Sequence, residues 1–287
     1  MSNIAGQGCE VLVPFNERKP LAEIERSLIK KYRKQIWRKF IKAVQDYKLV
    51  EEGDKIAVAI SGGKDSMIMA KLFQELKRHG QMQFDLEFIV ADPGYHENIK
   101  ELLIDNCNYL EIPIQIFDSG IFDVVDRIAQ DYPCYMCARM RRGSLYSKAK
   151  ELGCNKLALG HHFNDVIETT MLNVLYAGNF KTMLPKLKST NFEGIELIRP
   201  LYYIEEQYIQ KFTQSAGIWP LNCACMVAAK KTGNKRYEIK ELIENLKKNF
   251  NNVDKSIFKA AENVSMDAIL GWEKQGVKHS FLEEFEE

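Results

Sequence analysis

Leu28, Tyr32, Ile36, Phe40 and Val44 recur every four residues, and Ile29 and Trp37 widen the stripe, which is the pattern of an amphipathic helix with one apolar side. Its other side is basic: Arg26, Lys30, Lys31, Arg33, Lys34, Arg38, Lys39 and Lys42 put eight positive charges and no negative one between 26 and 42. After a turn at Glu52-Gly53-Asp54 the pattern changes to a continuous apolar run, Ile56 to Ile60, as expected of a strand buried on both faces of a parallel sheet. Helical stretches at about 66–79, 97–110 and 139–152 then alternate with strands at 86–91, 114–117 and 156–159. That alternation predicts an α/β fold, a doubly wound parallel sheet, preceded by the basic helix. Beyond Cys225 the pattern predicts helices only, at about 237–249 and 253–264. Residues 1 to about 20 lack periodicity and end at Pro20, an irregular arm. Three segments follow: arm and basic helix over 1–50, an α/β domain over 51–220, and a cysteine-bearing helical region over 221–287.

Composition sharpens this picture through charge. Forty Lys and Arg against 39 Asp and Glu leave a net charge of +1 on 287 residues, which excludes a uniformly basic nucleic-acid coat. The charge is nevertheless segregated. Residues 139–150 add five positive charges without an acid, and the last five residues contribute −4. Eight like charges on the first helix favour contact with RNA phosphate over a merely solvated face, and Lys230, Lys231, Lys235 and Arg236 form a second candidate contact. No apolar run approaches the roughly 20 residues that span a bilayer, so no membrane association is expected. The N-terminus lacks a basic start followed by an apolar stretch, so the expected compartment is the reducing cytoplasm. Seven cysteines there are expected as thiols or metal ligands rather than disulfides.

The strand at 56–60 runs into Ser61-Gly62-Gly63-Lys64-Asp65-Ser66, where a helix begins. Two glycines permit close backbone approach, and a helix N-terminus offers free N–H groups and a positive dipole end to an anion. Ser61 and Ser66 add hydroxyl donors, Lys64 adds charge, and Asp65 can cap the helix or reach a magnesium ion. The spacing is not that of the Walker loop. The hexapeptide resembles the pyrophosphate loop of the N-type ATP pyrophosphatases, which cleave ATP to AMP and pyrophosphate while adenylylating a substrate. The loop identifies that half-reaction and leaves the acceptor open.

Cys134 and Cys137 are separated by two residues, a spacing compatible with zinc, an iron–sulfur cluster or a redox pair. The surrounding α/β elements disfavour the redox pair. Near 90 residues downstream stands Cys223-Ala224-Cys225. Three cysteines on one metal centre leave a position open for chemistry; four suggest a closed structural site. Cys9, Cys107 and Cys154 have no partner at metal spacing and are given no role. Asp92, at the end of the second strand, and Gly160 and His161, after a later one, stand where doubly wound sheets bind ligands. Asp92 is equally readable as a turn residue, and His161 and His162 as helix caps or crevice wall.

The run Cys134-x-x-Cys137-Ala-Arg139-Met-Arg141-Arg142-Gly143, with Leu159-Gly160-His161-His162-Phe163-Asn164-Asp165, Met183-Leu184-Pro185-Lys186-Leu187 and Ile198-Arg199-Pro200-Leu201, resembles the tRNA 2-thiocytidine biosynthesis family over about 26–265. The resemblance implies an ATP-dependent enzyme that replaces the O2 of an anticodon-loop cytidine with sulfur, using Mg2+ and a 4Fe-4S cluster held by three cysteines. It implies nucleotide contacts from Ser61, Gly62, Gly63, Lys64, Asp65, Ser66, Asp92, Gly160, His161 and Asp165. Catalytic roles fall to Cys134, Cys137, Asp65, Arg141 and Asp165. Cluster ligation falls to Cys134, Cys137 and Cys223, with Cys225 as the alternative third ligand. The partners implied are tRNA, a sulfur donor (a cysteine desulfurase or sulfide) and a second copy of the chain. Two features depart from the family pattern: the positions Phe163 and Asn164 leave Asp165 as the one carboxylate of its motif, and the distal cysteines have a one-residue spacer. Other readings of the residues are thiolation of a uridine, amide or lysidine formation with structural zinc, and a non-catalytic module binding nucleotide and RNA.

Overall fold

The computed structural model describes residues 17–119, 133–221 and 235–285, with the backbone alone for 133–138 and 284. The chain divides into two compact units, Met1–Val166 with Leu184–Asn234, and Ile167–Met183 with Lys235–Glu287.

In the first unit the strands β1 (Lys55–Ala59), β2 (Asp85–Asp92), β3 (Ile114–Asp118), β4 (Lys156–Ala158), β5 (Lys186–Lys188) and β6 (Glu196–Ile198) form a sheet in the order β3-β2-β1-β4-β6-β5. β1 is parallel to β2 on one side, Ile56 beside Leu86, and to β4 on the other, Ile56 beside Lys156. The edge strand β5 departs from the expected parallel arrangement. It runs antiparallel to β6, Leu187 opposite Leu197, because a short loop joins the two where a parallel pair needs a long crossover. The crossovers are α3 (Lys64–His79), α4 (Glu97–Tyr109) and α5 (Pro133–Glu151). The last begins six residues earlier than the apolar pattern indicates, since Pro133 suits a first helical position, where its fixed φ fits and its missing N–H costs nothing.

Strand alternation sends Ala57 to one face and Ile56 and Val58 to the other. Ala57, Ile89, Ala91, Leu157 and Leu197 pack with Leu145, Tyr146 and Ala149 of α5. On α3, Met67, Ile68, Leu72 and Phe73 are buried, and the ring of Phe73 meets Phe40 edge-on at 5.7 Å. Two buried lysines are paired. Lys71 Nζ meets Glu25 Oε1 at 2.7 Å, and Lys156 Nζ meets Asp54 Oδ2 at 2.6 Å, which ties the turn before β1 to β4.

The single basic helix expected at the N-terminus is broken into α1 (Leu21–Ile29), a π turn (Arg33–Trp37) and α2 (Arg38–Asp46). The expected stripe of Leu28, Tyr32, Ile36, Phe40 and Val44 is buried, Ile24 extends it by one step, and Ile29 and Trp37 at its edge are half-buried. The break reconciles the two facts. A four-residue step overshoots an α-helical turn by about 40°, so five such steps would carry the stripe about 200° around a regular helix. Wider turns, closed by i→i+5 bonds from Tyr32 N–H to Ser27 O (2.9 Å), Trp37 N–H to Tyr32 O (3.4 Å) and Arg38 N–H to Arg33 O, keep it on one side.

The helix α6 (Phe163–Tyr176) starts in the first unit, where α7 (Glu206–Ala216) follows β6. In the second unit, α8 (Lys235–Asn249) and α9 (Val253–Ala260) bury Ile239, Ile243 and Phe258. There Arg236 Nε meets Glu168 Oε2 at 3.0 Å. The expectation of helices alone fails beyond them. β7 (Gly271–Lys274) and β8 (Val277–Ser280) make a hairpin, with Trp272 stacked on His279, before the short α10 (Leu282–Phe285). Gln275 and Gly276, at φ +54° and +82°, supply the two positive values that a tight hairpin turn requires.

Candidate functional site

β1 and β4 lie side by side while the helices that follow and precede them pack on opposite faces, the point at which open α/β sheets form a crevice. A cavity of about 340 Å³ occupies it. The loop after β1 contributes Ser61, Asp65 and Ser66, and the segment after β2 contributes Tyr95. Helix α5 contributes Arg141, Arg142 and Leu145; Gly160, His161 and Asp165 close the side beyond β4.

The loop is built by its own hydroxyls. Ser66 Oγ donates to Gly63 O at 2.9 Å and accepts from Ser61 N–H at 3.2 Å, while Gly63 caps α3 in an extended conformation. Gly62 has φ +77°, and a Cβ there would lie 2.5 Å from Leu221 Cδ1, so both angle and space demand glycine. Leu221 N–H also donates to Gly62 O at 2.9 Å. Gly160 lets the loop after β4 approach the start of α3, where a Cβ would stand 3.2 Å from the Asp65 carbonyl carbon and 3.3 Å from Ser66 N.

Lys64 Nζ sits between Asp65 Oδ2 (3.1 Å) and Glu206 Oε1 (3.0 Å). Burial opposes its charge, but the two carboxylates outweigh burial and hold its pKa above the ordinary value. Asp65 Oδ1 is buried without a hydrogen-bond partner, and His162 Nε2 lies 3.7 Å from it. The other nitrogen of that buried ring, Nδ1, lies 3.3 Å from Asp165 Oδ2, which also accepts His162 N–H at 2.8 Å. His162 thus stands between the two carboxylates of the cavity wall. The orphaned Asp65 oxygen offers a magnesium ion one protein carboxylate, with water and phosphate to complete the shell, while the His162 ring separates it from Asp165. Among the described residues no cluster of three or more His, Cys, Asp and Glu makes a metal site alone.

The two positions at which the motif departs from the family pattern have structural work here. Phe163 is buried, and Asn164 Oδ1 accepts the Glu206 N–H that opens α7. Asp92 does not line the cavity. Its Oδ1 accepts Gly94 N–H (2.9 Å) and Tyr95 N–H (2.8 Å), and its Oδ2 meets Lys100 (3.0 Å), so it builds the turn that presents Tyr95. Burial opposes that carboxylate, but the Tyr95 amide, Lys100 and the Gly94 amide keep its pKa below the usual range.

Cys134 and Cys137 fall in the first turns of α5, Cys137 one turn ahead of Arg141. Cys223 and Cys225 lie outside the described residues, two and four positions after Leu221. Burial pushes the thiols of Cys107 and Cys154 up to about 12 and about 11, which suits inert core residues. Tyr95, Glu206, Leu221 and the Arg199 that contacts His161 were not among the candidates drawn from the sequence. The Asp-Pro-Gly run at 92–94 signals the turn before Tyr95, and Arg199 stands in the Ile198-Arg199-Pro200-Leu201 motif; nothing local marks Glu206 or Leu221.

Residues 31–220 match a family model described as the PP-loop domain. The chain is 37% identical over 239 residues to the tRNA-cytidine(32) 2-sulfurtransferase of Pelobacter propionicus, covering 82% of this chain and 88% of that one. It is 36% identical to the protein of the same name from Geobacter metallireducens, with 82% and 92% covered. Among solved structures, the U34-tRNA thiolase NcsA of Methanococcus maripaludis with its 4Fe-4S cluster has the same fold, at a TM-score of 0.65 and 24% identity, with 83% of this chain and 78% of that one covered.

Proposed function

The chain belongs to the PP-loop family and, within it, to the tRNA-cytidine(32) 2-sulfurtransferases, and on that premise we propose that it is an ATP-dependent tRNA sulfurtransferase acting on an anticodon-loop cytidine. One observation carries the reading to the residues: the pyrophosphate loop, Arg141 and Arg142 border one cavity, and Cys137 lies one helical turn from Arg141.

The chemistry divides into two displacements. A cytidine O2 is a poor leaving group, so it first attacks the α-phosphorus of ATP, forming an O–P bond as the α–β bridge breaks and pyrophosphate departs. The loop amides, the N-terminus of α3 and Lys64 receive the charge that develops on that leaving group. Asp65 would hold Mg2+, which supplies further neutralisation of the phosphates, and Asp165 positions the His162 ring beside it. Sulfide then attacks C2, forming the C–S bond as the C–O bond breaks, and AMP departs with the former O2; sulfur supplied as a persulfide first takes two electrons from a thiol. Arg141, Arg142, Gly160 and His161 line the space in which the adenylate is held.

Cys134, Cys137 and Cys223, with Cys225 as the alternative third, would supply thiolates for a 4Fe-4S cluster. When bound, that cluster provides the position from which sulfur is delivered. Leu221, seated on Gly62 two residues before Cys223, supports bringing the distal cysteines to the loop. We extend the reading to a cytoplasmic homodimer fed by a cysteine desulfurase or by sulfide. The test is formation of AMP and pyrophosphate by the purified holoprotein. Dependence on both ATP and unmodified tRNA is expected; turnover indifferent to tRNA would contradict the proposal.

A further inference from the structure

We infer that the solvent face of the N-terminal helical segment is a docking track for the sugar-phosphate backbone of the RNA; this rests on the tRNA reading above. Of its eight cations, Lys39 is spent on Glu205 at 2.6 Å and Lys42 on Asp46. The other six, Arg26, Lys30, Lys31, Arg33, Lys34 and Arg38, are all exposed, and among the described residues none has a carboxylate within 4.0 Å. The wide turns matter here. By keeping the whole apolar stripe against the core they leave the intervening cations on the side away from it, a placement that an unbroken helix with this spacing would lose after a few turns.

The dimensions suit a nucleic-acid strand. From 26 to 38 the segment rises about 18 Å, against roughly one phosphate per 3.4 Å along one strand. Six cations along that length face about five phosphates of one strand. The contact would be sequence-independent: it orients the RNA and leaves the choice of base to the cavity.

The experiment compares tRNA binding by the full-length protein across a salt series with two variants of equal charge loss. Lys30, Arg33 and Lys34 are replaced by Gln in one, and the exposed Lys248, Lys255 and Lys259 by Gln in the other. Each lost phosphate contact lowers the slope of log affinity against log salt by about 0.7 to 0.9. The first variant should lose about two to three from that slope and bind at least tenfold more weakly near physiological salt, while the second keeps the parent slope. Equal losses in both variants, or no loss in the first, would overturn the docking track. Absence of tRNA binding by the unmodified protein would instead overturn the functional reading on which it rests.

Discussion

Arg199 Nε donates to His161 Nδ1 at 3.4 Å. Arginine has no acceptor, so Nδ1 accepts and the ring proton sits on Nε2. The guanidinium is buried, and its Nη1 also donates to Leu184 O. Burial, aided by the nearby charge of Arg142, pulls its pKa down to about 10, so an anion arriving in the cavity would stabilise it. Arg199→Met should release the imidazole, giving mixed tautomers of His161 in nitrogen-15 NMR and about a tenfold fall in kcat/KM for ATP. Lysine at 199 lacks the planar fork and should not restore the tautomer. An unchanged ring signal in Arg199→Met would remove this role.

Lys64 bears on the departing pyrophosphate. Its loss removes one preorganised charge and leaves Asp65 and Glu206 facing each other without it. Lys64→Met should lower kcat by about 10²- to 10³-fold, read by pyrophosphate release in the presence of tRNA. Retention of the parent rate would place the leaving group elsewhere.

The two glycines beside the loop should fail in different ways. Gly62→Ala meets both a positive φ and Leu221, so a loss of about 1–3 kcal/mol in stability is expected along with loss of ATP binding. Gly160→Ala has no φ penalty and asks the start of α3 to move by only a few tenths of an ångström. It should keep nearly the parent melting temperature while losing tenfold or more in rate, because small displacements of catalytic groups are costly. Urea unfolding and turnover measured on both variants separate the two effects.

Acid should weaken the first unit at identifiable carboxylates. Burial opposes the Glu25 charge, but Arg78 and Lys71 hold its pKa below the ordinary 4.5, and Asp92 lies below 3.8 for the reasons given above. A group whose folded pKa is lowered stabilises the protein above its unfolded value and loses that contribution as pH falls through the folded one. Stability in urea should therefore be flat near neutrality and fall below about pH 4.5, and Asp92→Asn should fall less steeply. An identical slope in that variant would argue against the Asp92 contribution.

Much of the phosphate loop is legible in the sequence because its chemistry is local: strand, two glycines, hydroxyls and helix start within eleven residues, 56–66. The buried stripe from Leu28 to Val44 is legible for the same reason, and its strict spacing of four held the hint of wider turns. What stays hidden is set by distant partners. Glu206 reaches Lys64, Leu221 covers Gly62 and Arg199 fixes His161 across long stretches of chain, and no periodicity encodes those meetings. The hairpin of β7 and β8 escapes notice because its strands are four residues each and its turn uses Gln275-Gly276 rather than Asn-Gly. Asp92, at the expected strand end, builds the turn under Tyr95 rather than lining the cavity, a detail set by its local backbone amides.

The most direct test is mass spectrometry of tRNA nucleosides from cells lacking this gene, complemented with the parent chain or with Lys64→Met or Cys134→Ala. The account predicts that 2-thiocytidine disappears on deletion, returns with the parent chain and stays absent with both variants. Unchanged 2-thiocytidine in the deletion strain, or loss of a thiouridine in its place, would contradict it.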